Sequence, residues 1–167
     1  MRSNRSNGGS GRTKGFSLIE LLIVVAIILI IAAIAVPSFL HSRMAANESA
    51  AVASIRTLNT AQISYNTAYP TVGYAATLGA LSGTSCSPPN STSACLIDAV
   101  LAGGQRTGYT FTLSNVTGTP NSTYNVIAAP TSVNTTGTRY FCSFADAVVR
   151  VSMSTIATCD GSINPQQ

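Results

Sequence analysis

The chain has 167 residues, of which 8% are charged and 46% are hydrophobic. Its length favours one domain with or without an appendage, and its hydrophobic content with so few charges excludes a disordered polyelectrolyte. The formal net charge of +4 belongs to the N-terminus, where four basic residues and no acid precede Phe16: Arg2, Arg5, Arg12 and Lys14. From Phe16 onward five Arg balance five acidic residues, which argues against a basic nucleic-acid-binding surface on the body of the protein.

The N-terminus combines a polar leader with a long apolar run. Residues 1–14 are basic and rich in Gly, Ser and Asn, so no secondary structure is expected there. Phe16–Val36 then forms 21 residues in which only Ser17 and Glu20 are polar, long enough to cross a bilayer as a helix. A secretory signal would have a shorter apolar segment and a cleavage site after it. Here the break in pattern, at Gly15, lies before the run.

Glu20 is the unusual residue of this run. A carboxylate near the membrane is costly unless it is neutralised or paired, so it is a functional hypothesis in its own right. A plain membrane anchor gives no reason for an acid at this position. The alternative is that Glu20 lies at headgroup level in contact with water, and the residues alone leave both interpretations open.

The string GFSLIELLIVVAIILIIAAIAVPSF resembles the N-terminal signature of type IV pilins and of the pseudopilins of type II secretion. The similarity covers about residues 14–40: a basic leader ending in Gly15, then Phe16, then Glu20 as the fifth residue from Phe16, then an apolar helix with Pro37. The resemblance implies that a prepilin peptidase cuts between Gly15 and Phe16 and methylates the new Phe16 amine. It also implies that Glu20 of one subunit meets the Phe16 amine of a neighbour.

This resemblance divides the first part of the chain into a cleaved leader, residues 1–15, and a transmembrane and filament-core helix, residues 16–40. Pro37 then has two interpretations. A proline removes one backbone donor and kinks a helix. The resemblance adds local unwinding just before this proline during filament assembly, and the sequence does not separate the two.

Residues 41–69 predict an amphipathic helix that continues the apolar one and forms the helical half of a globular head. Gly and Pro are absent and Ala is frequent, which favours helix. Six residues recur at spacings of three or four, as expected for one buried helix face: Ala51, Ile55, Leu58, Gln62, Tyr65 and Tyr69. Pro70 ends the pattern.

The remaining chain predicts a loop-rich connector, residues 70–107, followed by a sheet and a C-terminal disulfide loop, residues 108–167. Gly, Ser, Thr and Pro dominate the connector. A period of two in the first segment, and turn residues or short connections between the segments, then indicate four short strands: Tyr109–Ser114, Tyr124–Ala129, Tyr140–Phe144 and Val148–Met153. Because an isolated sheet of this size is marginally stable, we expect it to pack on the preceding helix. The fold class is therefore α+β with an antiparallel meander, which the resemblance identifies as the pilin fold.

The four cysteines all follow the apolar run. An even number on the expected outer side of a membrane argues for disulfides. Of the three possible connectivities, the two local pairs are favoured, Cys86–Cys95 and Cys142–Cys159, and the second resembles the C-terminal disulfide loop of many type IV pilins. A zinc site is the alternative, but no Cys-x-x-Cys spacing or nearby His supports one.

No catalytic constellation can be assembled from these residues, and we expect no enzyme activity, cofactor or metal. His41 is the only histidine, which leaves too few parts for a Ser-His-Asp or Cys-His arrangement. Major pseudopilins carry an acidic calcium-binding loop near the C-terminus. The tail here has one acid, Asp160, which favours a pilus subunit over that class.

The sequence therefore predicts a prepilin that polymerises into a type IV pilus for motility, adhesion or DNA uptake. The resemblance implies as partners other pilin subunits, the prepilin peptidase, an inner-membrane assembly platform and a motor ATPase. It implies a single-pass precursor in the inner membrane with its N-terminus in the cytoplasm, and then an extracellular filament. A type II secretion pseudopilin or minor pilin is the nearest alternative. A membrane-anchored binding module that never polymerises is the alternative from another class.

Overall fold

The computed structural model describes residues 15–83 and 86–166. Leader positions 1–14, with their four basic residues, lie outside the described residues. The chain divides into two compact units, one ending at Phe39 and the other beginning at Leu40, and the second is called the head below. The described residues contain three helices and five strands, in the order α1 Leu18–Ala68, α2 Leu78–Leu81, α3 Ala99–Ala102, β1 Gln105–Arg106, β2 Tyr109–Gly118, β3 Asn121–Pro130, β4 Tyr140–Phe144 and β5 Arg150–Ser152.

Helix α1 begins two residues after Phe16, where the apolar run begins. It contains no Gly, is rich in Ala, and continues through Pro37 as one element. It ends at Ala68, shortly before Pro70, since a proline disfavours helical backbone in the residue before it. The structure therefore has the long N-terminal helix that the sequence predicts.

The head buries one face of α1. Ala51, Ile55, Leu58 and Gln62 are fully buried and Tyr65 is 2% exposed. Five of the six predicted residues thus form the buried helix face, whereas Tyr69 follows the end of α1 and is half-buried. The sheet supplies the other side of this core through side chains that alternate along its strands: Tyr109, Phe111, Tyr124, Val126, Ala128 and Phe141.

The sheet is an antiparallel meander in the order β1-β2-β3-β4-β5. The prediction of four strands was wrong by one, because β1 is a two-residue strand within the expected connector and pairs with the start of β2. The hairpin between β2 and β3 is longer than predicted and leaves only Thr119 and Pro120 between the strands, whereas β5 is shorter than predicted. The hairpin tip is rich in Thr, which favours strand, and the hydroxyls of Thr117 and Thr123 pair across it at 2.7 Å.

The face of the sheet opposite α1 is covered by the C-terminal segment. The strand residues that alternate with the helix-facing ones, such as Ile127 and Cys142, pack there against Ile156 and Cys159. Cys142 and Cys159 form a disulfide, 17 residues apart in sequence. Asn125 Nδ2 donates to the Cys159 carbonyl at 3.2 Å, which fixes the same segment a second time. The head therefore has three layers: helix, sheet and C-terminal loop.

Short-range links hold the connector before the sheet. Cys86 and Cys95 form the second disulfide, so the structure joins the two local pairs that the sequence favours. No cysteine is free within the described part of the chain. The Gln62 side chain forms two hydrogen bonds with Ala75, donating to its carbonyl at 3.1 Å and accepting from its N–H at 2.8 Å. The buried helix face and the connector are thus tied together at one residue.

Candidate functional site

The apolar half of α1 presents an uninterrupted hydrophobic surface. Phe16 is 81% exposed, and the large apolar residues that follow it as far as Leu40 are exposed as well. The most apolar window of α1 has a mean hydropathy of 3.3, and none of it is buried. By length and composition α1 could cross a membrane. An exposed apolar surface of this extent marks contact with lipid or with another protein.

Glu20 lies in the first turn of α1, three residues after Ser17. The Ser17 backbone N–H donates to Glu20 Oε2 at 3.3 Å. This is one half of a capping box, in which a Glu at the third helical position binds the backbone N–H of the cap residue. Sequence reasoning missed this role, although the Ser-x-x-Glu spacing signals it. Glu20 therefore has a function within its own subunit besides any contact with a neighbour.

The Gly15–Phe16 bond lies just ahead of the helix. Gly15, Phe16 and Ser17 are non-helical, and all three are exposed. Exposed, non-helical backbone is where proteolytic cleavage is favoured. The expected cleavage position thus precedes the regular hydrogen bonding of α1.

The head contains a buried carboxylate that the sequence analysis did not single out. Glu48 is 5% exposed. Its Oε1 accepts from the Thr138 N–H at 2.9 Å, the Thr138 hydroxyl at 3.1 Å and the Arg139 N–H at 3.2 Å, and its Oε2 accepts from Arg139 Nε at 2.7 Å. Burial opposes ionisation of Glu48, but these donors outweigh it, and the pKa lies below its usual value. Glu48 therefore holds the loop between β3 and β4 against α1.

The other ion pairs of the head also fix loops. Arg150 Nη2 lies 2.6 Å from Asp146 Oδ2, and the guanidinium carbon of Arg150 lies 4.3 Å from the ring centroid of Phe144. Arg106 and Asp98 form an exposed pair at 3.1 Å. Among residues 15–83 and 86–166, no group of three or more His, Cys, Asp or Glu side chains could hold a metal ion. The apolar half of α1 is therefore taken as the candidate functional surface, because it is the extended exposed apolar surface of the described chain.

Comparison with known proteins points to the same segment. The family described as the prokaryotic N-terminal methylation motif matches residues 11–36. The type IV major pilin protein PilA of Myxococcus xanthus is 48% identical over 65 residues, which are 39% of this chain and 28% of that protein. The type IV wide pilus major component PilA4 of Thermus thermophilus is 55% identical over 40 residues, which are 24% of this chain and 30% of that protein. No solved structure matches.

The fold and these matches indicate one class of protein. A long N-terminal helix followed by a five-stranded antiparallel sheet is a pilin-like α+β fold. The methylation motif and the two relatives together support a type IV pilin, and both relatives are pilus components rather than enzymes. The matched segments span less than a third of each relative's length. The apolar helix and the motif fit a membrane-anchored precursor.

Proposed function

We propose that this chain is a prepilin whose mature form polymerises into a type IV pilus. The observation that carries the proposal is the exposed apolar half of α1, in which Glu20 is the only charged residue from Phe16 to Leu40. A surface of this kind is stable in lipid and, after assembly, in the apolar core of a helical bundle. The methylation motif at the same residues supports cleavage between Gly15 and Phe16 and methylation of the Phe16 amine.

Cleavage would create a positively charged amine at Phe16, close in sequence to Glu20. In an apolar filament core each charge alone carries a large desolvation cost, and pairing recovers much of it because attraction is strong at low dielectric. A carboxylate offers several acceptor positions, so the hydrogen bond from Ser17 leaves Glu20 able to bind a neighbour's amine as well. The pair would set the axial stagger between subunits more than it adds net stability.

The proposed life cycle follows from this chemistry. The precursor would sit in the inner membrane with its leader in the cytoplasm, and the leader's four basic residues fit that orientation. An assembly platform and a separate motor ATPase would then extrude the filament for motility, adhesion or DNA uptake. At Pro37 the helix would kink in the membrane or unwind locally on assembly.

Mass spectrometry of sheared surface filaments tests the proposal. We expect an abundant peptide that begins at N-methylated Phe16. An intact leader, or a chain confined to the membrane fraction, would instead support the membrane-anchored binding module. A correctly processed chain that is scarce in the filaments would support the minor pilin or pseudopilin.

Substitution of Glu20 separates its two roles. Glu20→Gln keeps an acceptor for the Ser17 N–H, because Gln serves equally in a capping box, but it removes the negative charge. Glu20→Ala removes both. We expect both variants to insert in the membrane and to yield few or no filaments, measured by electron microscopy and by immunoblots of membrane and sheared fractions. Normal filaments from Glu20→Gln would contradict the charge pair and leave the helix cap as the role of Glu20.

A further inference from the structure

The loop between β3 and β4, residues 131–139, is anchored on the first turns of α1 within the head. Asn47 Nδ2 donates to the Thr136 carbonyl at 2.9 Å. Glu48, the next residue of α1, accepts from the Thr138 N–H at 2.9 Å. Two successive side chains of the helix thus hold the loop at its side.

The other end of the loop lies beside the start of the head. Asn134 lines the same surface recess as His41 and Met44, which are one and four residues after Leu40. Val133, next to Asn134, is 49% exposed. Because the anchoring side chains lie further along α1, the loop runs back along the helix towards the apolar run.

The loop is closed by its own hydrogen bonds. The Ser132 carbonyl accepts from the Thr136 N–H at 2.9 Å and from the Thr136 hydroxyl at 3.1 Å. The Asn134 N–H donates to the Gly137 carbonyl at 2.9 Å. A loop whose backbone groups are already paired can approach a less polar surface at lower cost than one whose groups need water. An ordered turn therefore presents Val133.

The start of the head lies close in sequence to the expected end of the membrane span. Phe16–Val36 has 21 residues, which as a helix extend about 30 Å, the thickness of the hydrocarbon core. His41 follows Val36 by five residues, about 7 Å of helix, and the headgroup layer of one leaflet is about 5–8 Å thick. When the apolar run spans a bilayer, His41 is therefore at headgroup level.

The chemistry of this end of the head suits phospholipid headgroups. Glu48 is the only acid among the six described residues that line the recess, and it is buried and bound by Arg139. It therefore presents little negative charge to anionic lipids. Arg43, which is exposed on nearly the opposite side of α1 from His41, offers a guanidinium group to lipid phosphate.

We propose that the β3–β4 loop is a membrane-contact surface, through which Val133 and Asn134 lie on the phospholipid headgroups beside His41. A helix and a loop in contact with the same leaflet would restrict the tilt of the head, which a single helix would not. The inference rests on the membrane-anchored stage of the proposed function and does not need the polymer. The contact would end when a subunit leaves the bilayer.

Tryptophan fluorescence tests the contact, because the chain contains no Trp. The full chain with Val133→Trp is inserted into vesicles of phosphatidylethanolamine and phosphatidylglycerol brominated on acyl carbons near the headgroup. We expect the brominated lipid to remove most of the fluorescence and iodide in the water to remove little. Val72→Trp is the matched control and should give the reverse, because Val72 is 37% exposed and follows the far end of α1, with about 40 Å of helix between His41 and Ala68.

A photoreactive phospholipid tests the unaltered chain, because tryptophan itself favours membrane interfaces. A diazirine at headgroup level should label residues 131–137, which trypsin releases in the peptide 107–139. The tip of the β2–β3 hairpin belongs to the same peptide and should stay unlabelled, as should the connector around Val72. These two segments pair with each other through Asn121, at the end of α1 away from the apolar run.

Flotation of the vesicles separates failure of the contact from failure of membrane insertion. A chain that floats with the vesicles, but shows neither quenching by brominated lipid nor label in residues 131–137, would overturn the contact and leave the proposed function standing. Quenching without label would assign the contact to the introduced tryptophan and would also overturn it. A chain that does not float would contradict both the contact and the membrane-anchored precursor.

Discussion

The two halves of α1 are both helical but differ in which of their side chains are buried. From Leu18 to Phe39 every large apolar side chain is exposed, whereas from Ala51 to Tyr65 one face is buried and the other is mostly polar. The first half has no core of its own and gains stability only from lipid or from other chains. The second half brings its own core, because the sheet covers it. The first half of α1 is apolar on all sides and is suited to contact with lipid or other chains. The second half is amphipathic and is suited to packing on its own sheet.

The largest expected effect comes from a charge placed in the apolar half. Val25→Arg would add a charge to a run that must enter lipid, at a cost of about 3 kcal/mol near the middle of a membrane helix. We expect loss of the chain from the membrane fraction, measured by fractionation and immunoblot. Ala53→Arg, on the exposed side of the second half, is the control and should leave the chain in the membrane. Equal amounts of the two variants in the membrane fraction would contradict the conclusion that only the first half of α1 enters lipid.

The next effect, on folding of the head rather than on membrane insertion, is expected at the buried face of the second half. Leu58 is fully buried, so Leu58→Ala should lower the free energy of unfolding of the head by about 2–5 kcal/mol. Ile63, 50% exposed on the same helix, is the matched position, and Ile63→Ala should cost about 0.5 kcal/mol. Urea unfolding of the full chain in detergent, followed by circular dichroism, measures both. Similar decreases in the free energy of unfolding for the two variants would contradict burial of this helix face by the sheet.

The smallest expected effect concerns the charge that fixes the β3–β4 loop. Glu48→Gln keeps an acceptor for the backbone N–H groups but loses the charge that faces Arg139, which should cost about 1–2 kcal/mol at neutral pH. Asp98→Asn in the exposed pair with Arg106 should cost under about 0.5 kcal/mol. The same unfolding measurement applies, and an equal loss at the two positions would show that burial of Glu48 adds nothing.

The pH dependence of Glu48 has a defined sign. Its folded pKa lies below the ordinary value of 4.5, so the folded state binds the proton less readily than the unfolded state does. The stabilisation is therefore present above pH 4.5 and is lost as the pH falls through the folded pKa. Glu48→Gln should flatten this part of the stability curve, measured by urea unfolding at a series of acidic pH values. If the free energy of unfolding of the variant fell at acidic pH as steeply as that of the unaltered chain, the pH dependence would come from other carboxylates.

The local spacing of apolar residues was sufficient to predict much of the fold. The spacing of Ala51, Ile55 and Leu58 predicts the buried helix face, since side chains three or four residues apart share one side of a helix. The alternation of Tyr109 and Phe111 predicts a strand, because every second side chain of a strand lies on the same face. At the candidate site, the apolar run and its single acid are evident because both are contiguous in sequence.

The features that sequence reasoning missed depend on distant or very short partners. Glu48 and Arg139 are 91 residues apart, and no local pattern indicates that they meet. Strand β1 is two residues long and exists because it pairs with β2, so it has no period of its own. The tip of the β2–β3 hairpin contains Gly118 and Pro120, whose turn propensity conceals the pairing of the flanking Thr residues.

The contact between Gln62 and Ala75 limits which sequences this head can accept. One side-chain amide pairs with both polar groups of a single buried residue, as a neighbouring strand would. Glu at this position would lack the donor, Leu would leave both backbone groups unpaired, and Asn would be one methylene too short. In a library of all substitutions, position 62 should therefore tolerate almost nothing, although it is polar and lies on a face made mostly of apolar residues.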